Sequence, residues 1–234
     1  MSSIICLAGL SNSGKSTSIK YLDPESTFIV SCTNKQLQIP GFRKKYPKVS
    51  INDGKLTGNW YVNNNYAQIE KILGVVSKTR PEIKTVVLDD ANYLLSNETF
   101  SQALTKGYEK FTVMAKNYYD LIQNCQNLRD DLTVVFVTHV ENYGTEIDPL
   151  YRMWTTGKML TSQINLDGLF SYIIYSERKV DDVSGEIKYQ FKTRTDGNDT
   201  CRSIQGCFEE KYIEPNLKLV IDTINNFEFG GEED

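Results

Sequence analysis

The chain has 234 residues, 40% of them hydrophobic and 24% charged, with a formal net charge of −4. That is enough apolar material for one generous α/β domain and too much for a disordered chain. The negative balance excludes a global basic field, so a nucleic-acid contact has to come from a local patch. No apolar run approaches the length of a membrane span.

The five cysteines (Cys6, Cys32, Cys125, Cys201, Cys207) are scattered without a C-x-x-C pair. With a single histidine in the chain, this argues against a zinc site. Reduced thiols fit a cytoplasmic compartment, and the first residues lack a basic leader and a cleavage site. The expectation is a soluble, intracellular protein.

In chain order, Ile4 to Ala8 is a short apolar run that reads as a buried strand. It feeds directly into Gly9-Leu10-Ser11-Asn12-Ser13-Gly14-Lys15-Ser16-Thr17, followed by helix-compatible sequence through Leu22. This is G-x-x-x-x-G-K-S in the strand–loop–helix setting that the phosphate-binding loop requires. Gly9 and Gly14 let the backbone fold around an anion, so that N–H groups through Asn12 and Ser13 point at phosphate oxygens. Lys15 reaches the β- and γ-phosphates, and the Ser16 hydroxyl suits Mg²⁺. The residues therefore predict a bound nucleoside triphosphate.

Thr27–Cys32 reads as a second buried strand. Asn34–Lys48 follows, the densest basic and aromatic stretch, interrupted by Pro40, Gly41 and Pro47. Arg43, Lys44 and Lys45 interleaved with Phe42 and Tyr46 suit single-stranded nucleic acid, cations on the backbone and rings on bases. A solvated surface loop accounts for the same residues, and both readings stay open. Ile51–Lys55 and Trp60–Val62 suggest a hairpin around Asp53-Gly54, and Tyr66–Ser77 a helix.

Thr85-Val86-Val87-Leu88-Asp89-Asp90 has the form of a Walker B strand, roughly seventy residues after the phosphate loop. Asp89 would hold Mg²⁺ through water and Asp90 would orient or deprotonate an attacking water. Asn97–Asp130 carries a long helical pattern, with Gly107 as a break, and its apolar stripe (Phe100, Leu104, Met114, Tyr118, Leu121 among others) reads as core. Leu132–His139 is a further buried strand whose polar end places Thr138 or His139 at the ligand-binding edge of an open α/β sheet. Glu141–Asn165 reads as irregular and includes Arg152 and Lys158. Leu169–Tyr175 and Ile187–Arg194 read as antiparallel partners, and Leu217–Phe227 as a closing helix. Glu228–Asp234 reads as a short, disordered acidic tail.

The order of phosphate loop, strand, Walker B, polar-ended strand and late hairpin ending in Lys-x-Arg resembles the RecA-like division of P-loop ATPases. The segments GLSNSGKST, TVVLDDANYLL, VVFVTHVE, TTGKMLTSQINLDGLF and YQFKTRTDGNDTCRS are similar to those of small bacteriophage ATPases that keep a RecA-type core, some of them single-strand annealing or recombination proteins. The resemblance implies one RecA-like domain over residues 1–227, with a mostly parallel central sheet flanked by helices and a C-terminal antiparallel β-hairpin. It implies ATP and Mg²⁺ as cofactors, bound at subunit boundaries of a homo-oligomeric ring or filament, in the host-cell cytoplasm if the chain is phage-encoded. Lys192 and Arg194 would then reach a neighbour's γ-phosphate. Single-stranded DNA would lie on Arg43–Lys45 and the Arg152–Lys158 loop, with no membrane partner. One departure stands out: RecA has a glutamate after its second strand, whereas this chain has Ser31-Cys32-Thr33-Asn34. A nucleotide-dependent assembly switch that scarcely hydrolyses ATP and a small-molecule kinase are the competing expectations.

Overall fold

The computed structural model describes residues 1–53, 55–107, 109–156, 164–181 and 184–230. Its centre is β1 (Ser3–Gly9), which carries the phosphate loop at its carboxyl end. Along β1 the side chains alternate. Ile4, Cys6 and Ala8 enter one apolar layer, while Ile5 and Leu7 enter the other. A strand covered on both faces has to be apolar at every position, which is why the run reads as continuous rather than alternating.

The other strands are β2 (Thr27–Ser31), β3 (Ser50–Asn52), β4 (Lys55–Thr57), β5 (Trp60–Val62), β6 (Thr85–Asp89), β7 (Thr133–Asn142), β8 (Tyr151–Met153), β9 (Tyr172–Val180), β10 (Ile187–Lys192) and β11 (Tyr212–Ile213). The main sheet has nine strands in the order β11-β10-β9-β1-β7-β6-β2-β5, with β8 paired to β7. From β9 through β5 the neighbours run parallel; β10 and β11 add an antiparallel edge. The result is a mixed α/β architecture with a mostly parallel central sheet, and β9–β10 is the expected late hairpin.

Helices cover both faces. On one side lie α3 (Tyr66–Thr79), α4 (Tyr93–Ser101) and α5 (Glu109–Gln126), which bury Ile69, Leu73, Leu94, Tyr118 and Leu121. On the other lie α2 (Phe42–Lys45) and α6 (Leu217–Phe229), with Phe42, Leu217, Val220 and Ile224 buried. Asn65 and Asn216 start α3 and α6, their side chains accepting from the Gln68 and Leu219 N–H groups at 3.1 and 3.2 Å. The helix after the phosphate loop is short: α1 (Lys15–Ser18) tightens into a 3-10 turn over Ile19–Tyr21. Among the described residues no helix is long and apolar enough to cross a membrane.

Several expectations are corrected. The Asp53 turn joins β3 to β4, whereas Trp60–Val62 leaves the hairpin and extends the main sheet beside β2. Only Gly58 and Asn59 separate β4 from β5, too close for sequence alone to say which one pairs with β3. Gly107, at φ +97°, does divide the long helical stretch, but Phe100 and Leu104 are 78% and 97% exposed rather than core. They lie where α4 ends and the chain turns away from the sheet. Glu141–Asn165 is not irregular throughout, since β7 runs on to Asn142 and β8 folds back against it. The last helix extends to Phe229, with Tyr172 donating its hydroxyl hydrogen to Glu228, so the supposed tail begins inside a helix. Residues 231–234 of that tail lie outside the described residues.

Candidate nucleotide site

The carboxyl ends of β1, β6 and β7 meet at one edge of the sheet. Register pairs Gly9 with His139 across β1–β7 and Leu88 with Phe136 across β6–β7. The phosphate loop closes directly above. Asn12 and Gly14 take left-handed backbone angles, φ 60° and 98°, which turn successive N–H groups toward one concave face. Gly9 must be glycine, because a Cβ there would overlap the Ser176 carbonyl oxygen of β9 and lie 2.8 Å from Ser13 Oγ. A Cβ on Gly14 would meet the Tyr189 ring at 3.3 Å. The Ser176 hydroxyl donates to Ser13 O at 2.7 Å, so β9 clamps the loop from beneath.

Lys15 is 6% exposed. Its ammonium donates to the carbonyls of Gly9 and Leu10 at 2.7 and 2.8 Å. Burial drives its pKa down to about 8, against the pull of Asp90 and Asp89. The Ser16 hydroxyl donates to Asp89 Oδ1 at 2.9 Å, joining two motifs that lie 73 residues apart in sequence. Burial first, then the neighbouring Asp90, raises Asp89 to about 6, against Ser16, Lys35 and Lys15. Burial would raise Asp90 as well, but His139, Lys35 and Lys15 outweigh it and hold its carboxyl below the usual range. Asp90 has a left-handed backbone, φ 58°, and its Oδ1 sits 3.6 Å from His139 Nε2, an ion-pair rather than a hydrogen-bond separation. His139 is braced by Asn92, whose side-chain oxygen accepts from its backbone N–H at 3.2 Å, and by an edge-on contact with Tyr93.

These groups line a cavity of about 920 Å³, within the ~300–1,000 Å³ range of small-molecule sites. Its wall carries four cations (Lys15, Lys20, Lys35, Arg178) and two carboxylates (Asp89, Asp90), a positive excess on a net-negative chain. The residues fit a magnesium triphosphate. Ser13 Oγ is buried with no hydrogen-bond partner, on the loop that would wrap the anion. Ser16 and Asp89 offer the two oxygen ligands that Mg²⁺ takes from protein when phosphates and waters complete its shell. Among the described residues no cluster of three or more His, Cys, Asp or Glu side chains could hold a metal ion.

The structure thus gathers Gly9, Asn12, Ser13, Gly14, Lys15, Ser16, Thr17, Asp89, Asp90 and His139 at one place, while Thr138 is fully buried and does not line this cavity. Lys192 and Arg194 are elsewhere. Lys192 is 2% exposed, and its ammonium lies 2.5 Å from Asp199, 2.7 Å from Asp196 and 3.8 Å from Glu177. A cation so enclosed by its own chain cannot reach a neighbour's phosphate, which corrects that assignment. Arg194 is exposed and donates to Glu209 O at 3.0 Å.

The expected DNA contacts separate as well. Arg43, Lys44 and Lys45 are exposed on one turn of α2, but Phe42 and Tyr46 are 1% exposed, Phe42 packing edge-on against Trp60. The rings anchor the turn in the core and offer no face to bases. Arg152 is half-buried, bonded to Glu141 at 2.9 Å and stacked over Tyr143. Lys158 lies outside the described residues.

Ser176, Arg178 and Tyr189 were missed, and Lys35, read with the basic Asn34–Lys48 stretch, lines this cavity instead. The signal for Ser176 and Arg178 was present: the polar run Ser176-Glu177-Arg178 continues β9 past its apolar half, with alternate residues sharing a face. No protein-family model matches this chain, and no curated protein is significantly similar to it.

Proposed function

We propose that the chain is a Mg²⁺-dependent, ATP-binding P-loop protein of the RecA-like division, slow in hydrolysis. The observation that carries this reading is the Ser16–Asp89 hydrogen bond at 2.9 Å, which creates one metal-ready point out of the two nucleotide motifs. The strand order adds support for the division, because β7 separates the strand bearing the phosphate loop from the strand bearing Asp89. The sequence has no guanine-selecting N/T-K-x-D motif, which favours ATP. Mg²⁺, when bound, would neutralise phosphate charge and polarise the bond to be broken. The chain's own part is to hold the phosphates on Gly9–Thr17, to keep Lys15 charged against them, and to present Asp90 to water. His139 positions Asp90 from β7.

The cavity's only carboxylates among the described residues are Asp89 and Asp90, and the loop after β2 contributes Thr33 and Lys35 instead of an acid. That observation favours the assembly-switch form of the function, in which occupancy rather than turnover drives the change of state. Oligomerisation at the nucleotide and action on single-stranded DNA, in phage-type recombination or replication, extend the proposal. Their support is the resemblance together with the exposed Arg43–Lys45 turn, which suits phosphate contacts without base stacking. Five free, buried cysteines are compatible with a cytoplasmic setting.

The test is ATP hydrolysis with and without single-stranded DNA for the wild type, Lys15→Ala and Arg194→Ala. The proposal expects weak turnover that is lost in Lys15→Ala and raised by DNA. Arg194→Ala decides whether a neighbour contributes: full activity in that variant removes Arg194 from the site. Transfer of phosphate to a small acceptor by a monomer would replace the proposal with a kinase.

A further inference from the structure

Two cations of the cavity, Lys35 and Arg178, make no side-chain hydrogen bond or ion pair among the described residues. Lys20 lies over the Tyr21 ring at 4.7 Å, and Lys15 is tied to two carbonyls at the base of the loop. Arg178 stands on the opposite wall with Tyr189, on the β9–β10 arm. Lys35 leaves β2 on an exposed loop and lines the cavity together with Lys15, Asp89, Asp90 and His139. Its side chain makes no hydrogen bond or ion pair within 4 Å among the described residues; its only hydrogen bond is from its backbone N–H to Thr33 Oγ1.

We propose that Lys35 is the terminal-phosphate cation of this site, supplied in cis, and that it sets the preference for a nucleoside triphosphate over the diphosphate. This rests on the nucleotide reading above. The loop amides grip the inner phosphates, which ATP and ADP share, while Lys15 spans the β- and γ-phosphates. A cation entering from the loop after β2, on the side of Asp89 and Asp90, meets the phosphate that ADP lacks. In the family that the chain resembles, this loop supplies an acid that activates water. Here the corresponding positions, Ser31–Asn34, carry no acid, and Lys35 follows them. A protonated lysine cannot accept water's proton, and instead stabilises the bound triphosphate before reaction. The missing acid and the lysine beside it together account for tight triphosphate recognition and weak turnover. It also fills the charge role left open by Lys192, which its own carboxylates occupy.

The experiment is equilibrium binding of ADP and of a non-hydrolysable ATP analogue, each with Mg²⁺, to wild type, Lys35→Ala, Lys35→Arg and Lys15→Ala. One charge-assisted contact is worth ~10–100-fold in affinity. Lys35→Ala should lose about that factor for the ATP analogue and stay within about 2-fold for ADP, and Lys35→Arg should restore most of it. Equal losses for both nucleotides, or no loss, would overturn the proposal. Repeating the wild-type titration at decreasing protein concentration tests the cis assignment, since a preference that disappears as oligomers dissociate would assign the cation to a neighbour. Lys15→Ala should lose both nucleotides. Wild type that binds neither would overturn the nucleotide reading along with this one, a failure distinct from an unchanged Lys35→Ala.

Discussion

Among the described residues two lysines are buried, and their surroundings differ in kind. Lys192, on β10, is 2% exposed and faces three carboxylates. Lys15, on the phosphate loop, is 6% exposed and holds only neutral carbonyls, with Asp89 and Asp90 at longer range. A buried charge with full ionic partners is part of the scaffold, and removing it strands its partners. A buried charge resting on carbonyls is under-compensated, and an anion entering the cavity would complete it. Burial alone therefore does not mark a functional lysine; what balances the charge does.

The sharpest way to break this comparison is to remove each lysine in turn. Lys192→Ala should cost ~3–5 kcal/mol, because Asp199 and its neighbours lose their counterion. Chemical denaturation would read this directly, and a loss below ~1 kcal/mol would deny Lys192 its structural role. Lys15→Ala should remove nucleotide binding while leaving the melting temperature within a few degrees of wild type, or above it.

Next in size is the acidic side of the site. Burial and Asp90 hold Asp89 up at about 6, above the ordinary aspartate value. A carboxyl whose folded pKa exceeds its unfolded one is protonated more readily in the native state. Its cost is absent below about pH 4 and grows as pH rises through 6. Asp89→Asn should therefore stabilise the metal- and nucleotide-free protein by ~1–3 kcal/mol at pH 7 and have little effect at pH 4. It should abolish Mg²⁺-dependent nucleotide binding. Denaturation curves at the two pH values check the sign.

Lys15 gives the complementary trend. Burial lowers its pKa to about 8, so the native state sheds that proton sooner than the unfolded chain. Its cost is present at pH 7 and fades as pH rises from 8 toward 10.5. Wild type should thus gain stability relative to Lys15→Met across that window. A smaller effect is expected at the clamp. Ser176→Ala removes the hydrogen bond to Ser13 O and should cost ~1 kcal/mol of stability, with a several-fold weaker nucleotide affinity.

What could be read from the sequence follows the range of the interactions involved. The phosphate loop, the Asp89 strand and the buried strands were legible because each is a local pattern: fixed glycine and lysine spacing, or an unbroken apolar run. The meeting of Ser16 with Asp89 followed from the two motifs together. The roles of Phe42 and Tyr46 did not, because a basic loop with rings has the same sequence whether the rings face bases or the core. Only the packing of Trp60 from β5 decides it. Lys192 was misplaced for the same reason. Lys-x-Arg at the end of a hairpin carries no sign of Asp199 folding back to meet it at 2.5 Å. Lys35 was read with the basic Asn34–Lys48 stretch because no motif ties it to the nucleotide; its position follows from the parallel pairing of β2 with β6, which aims the loop after β2 at the carboxylates.

The most direct test of the account is a Mg²⁺-dependent titration of the wild type and Lys15→Ala with a fluorescent ATP analogue, each protein first shown to be folded. The account predicts saturable binding by the wild type that needs Mg²⁺ and is lost in the folded variant. Equal binding by both proteins, or none by a folded wild type, would contradict it.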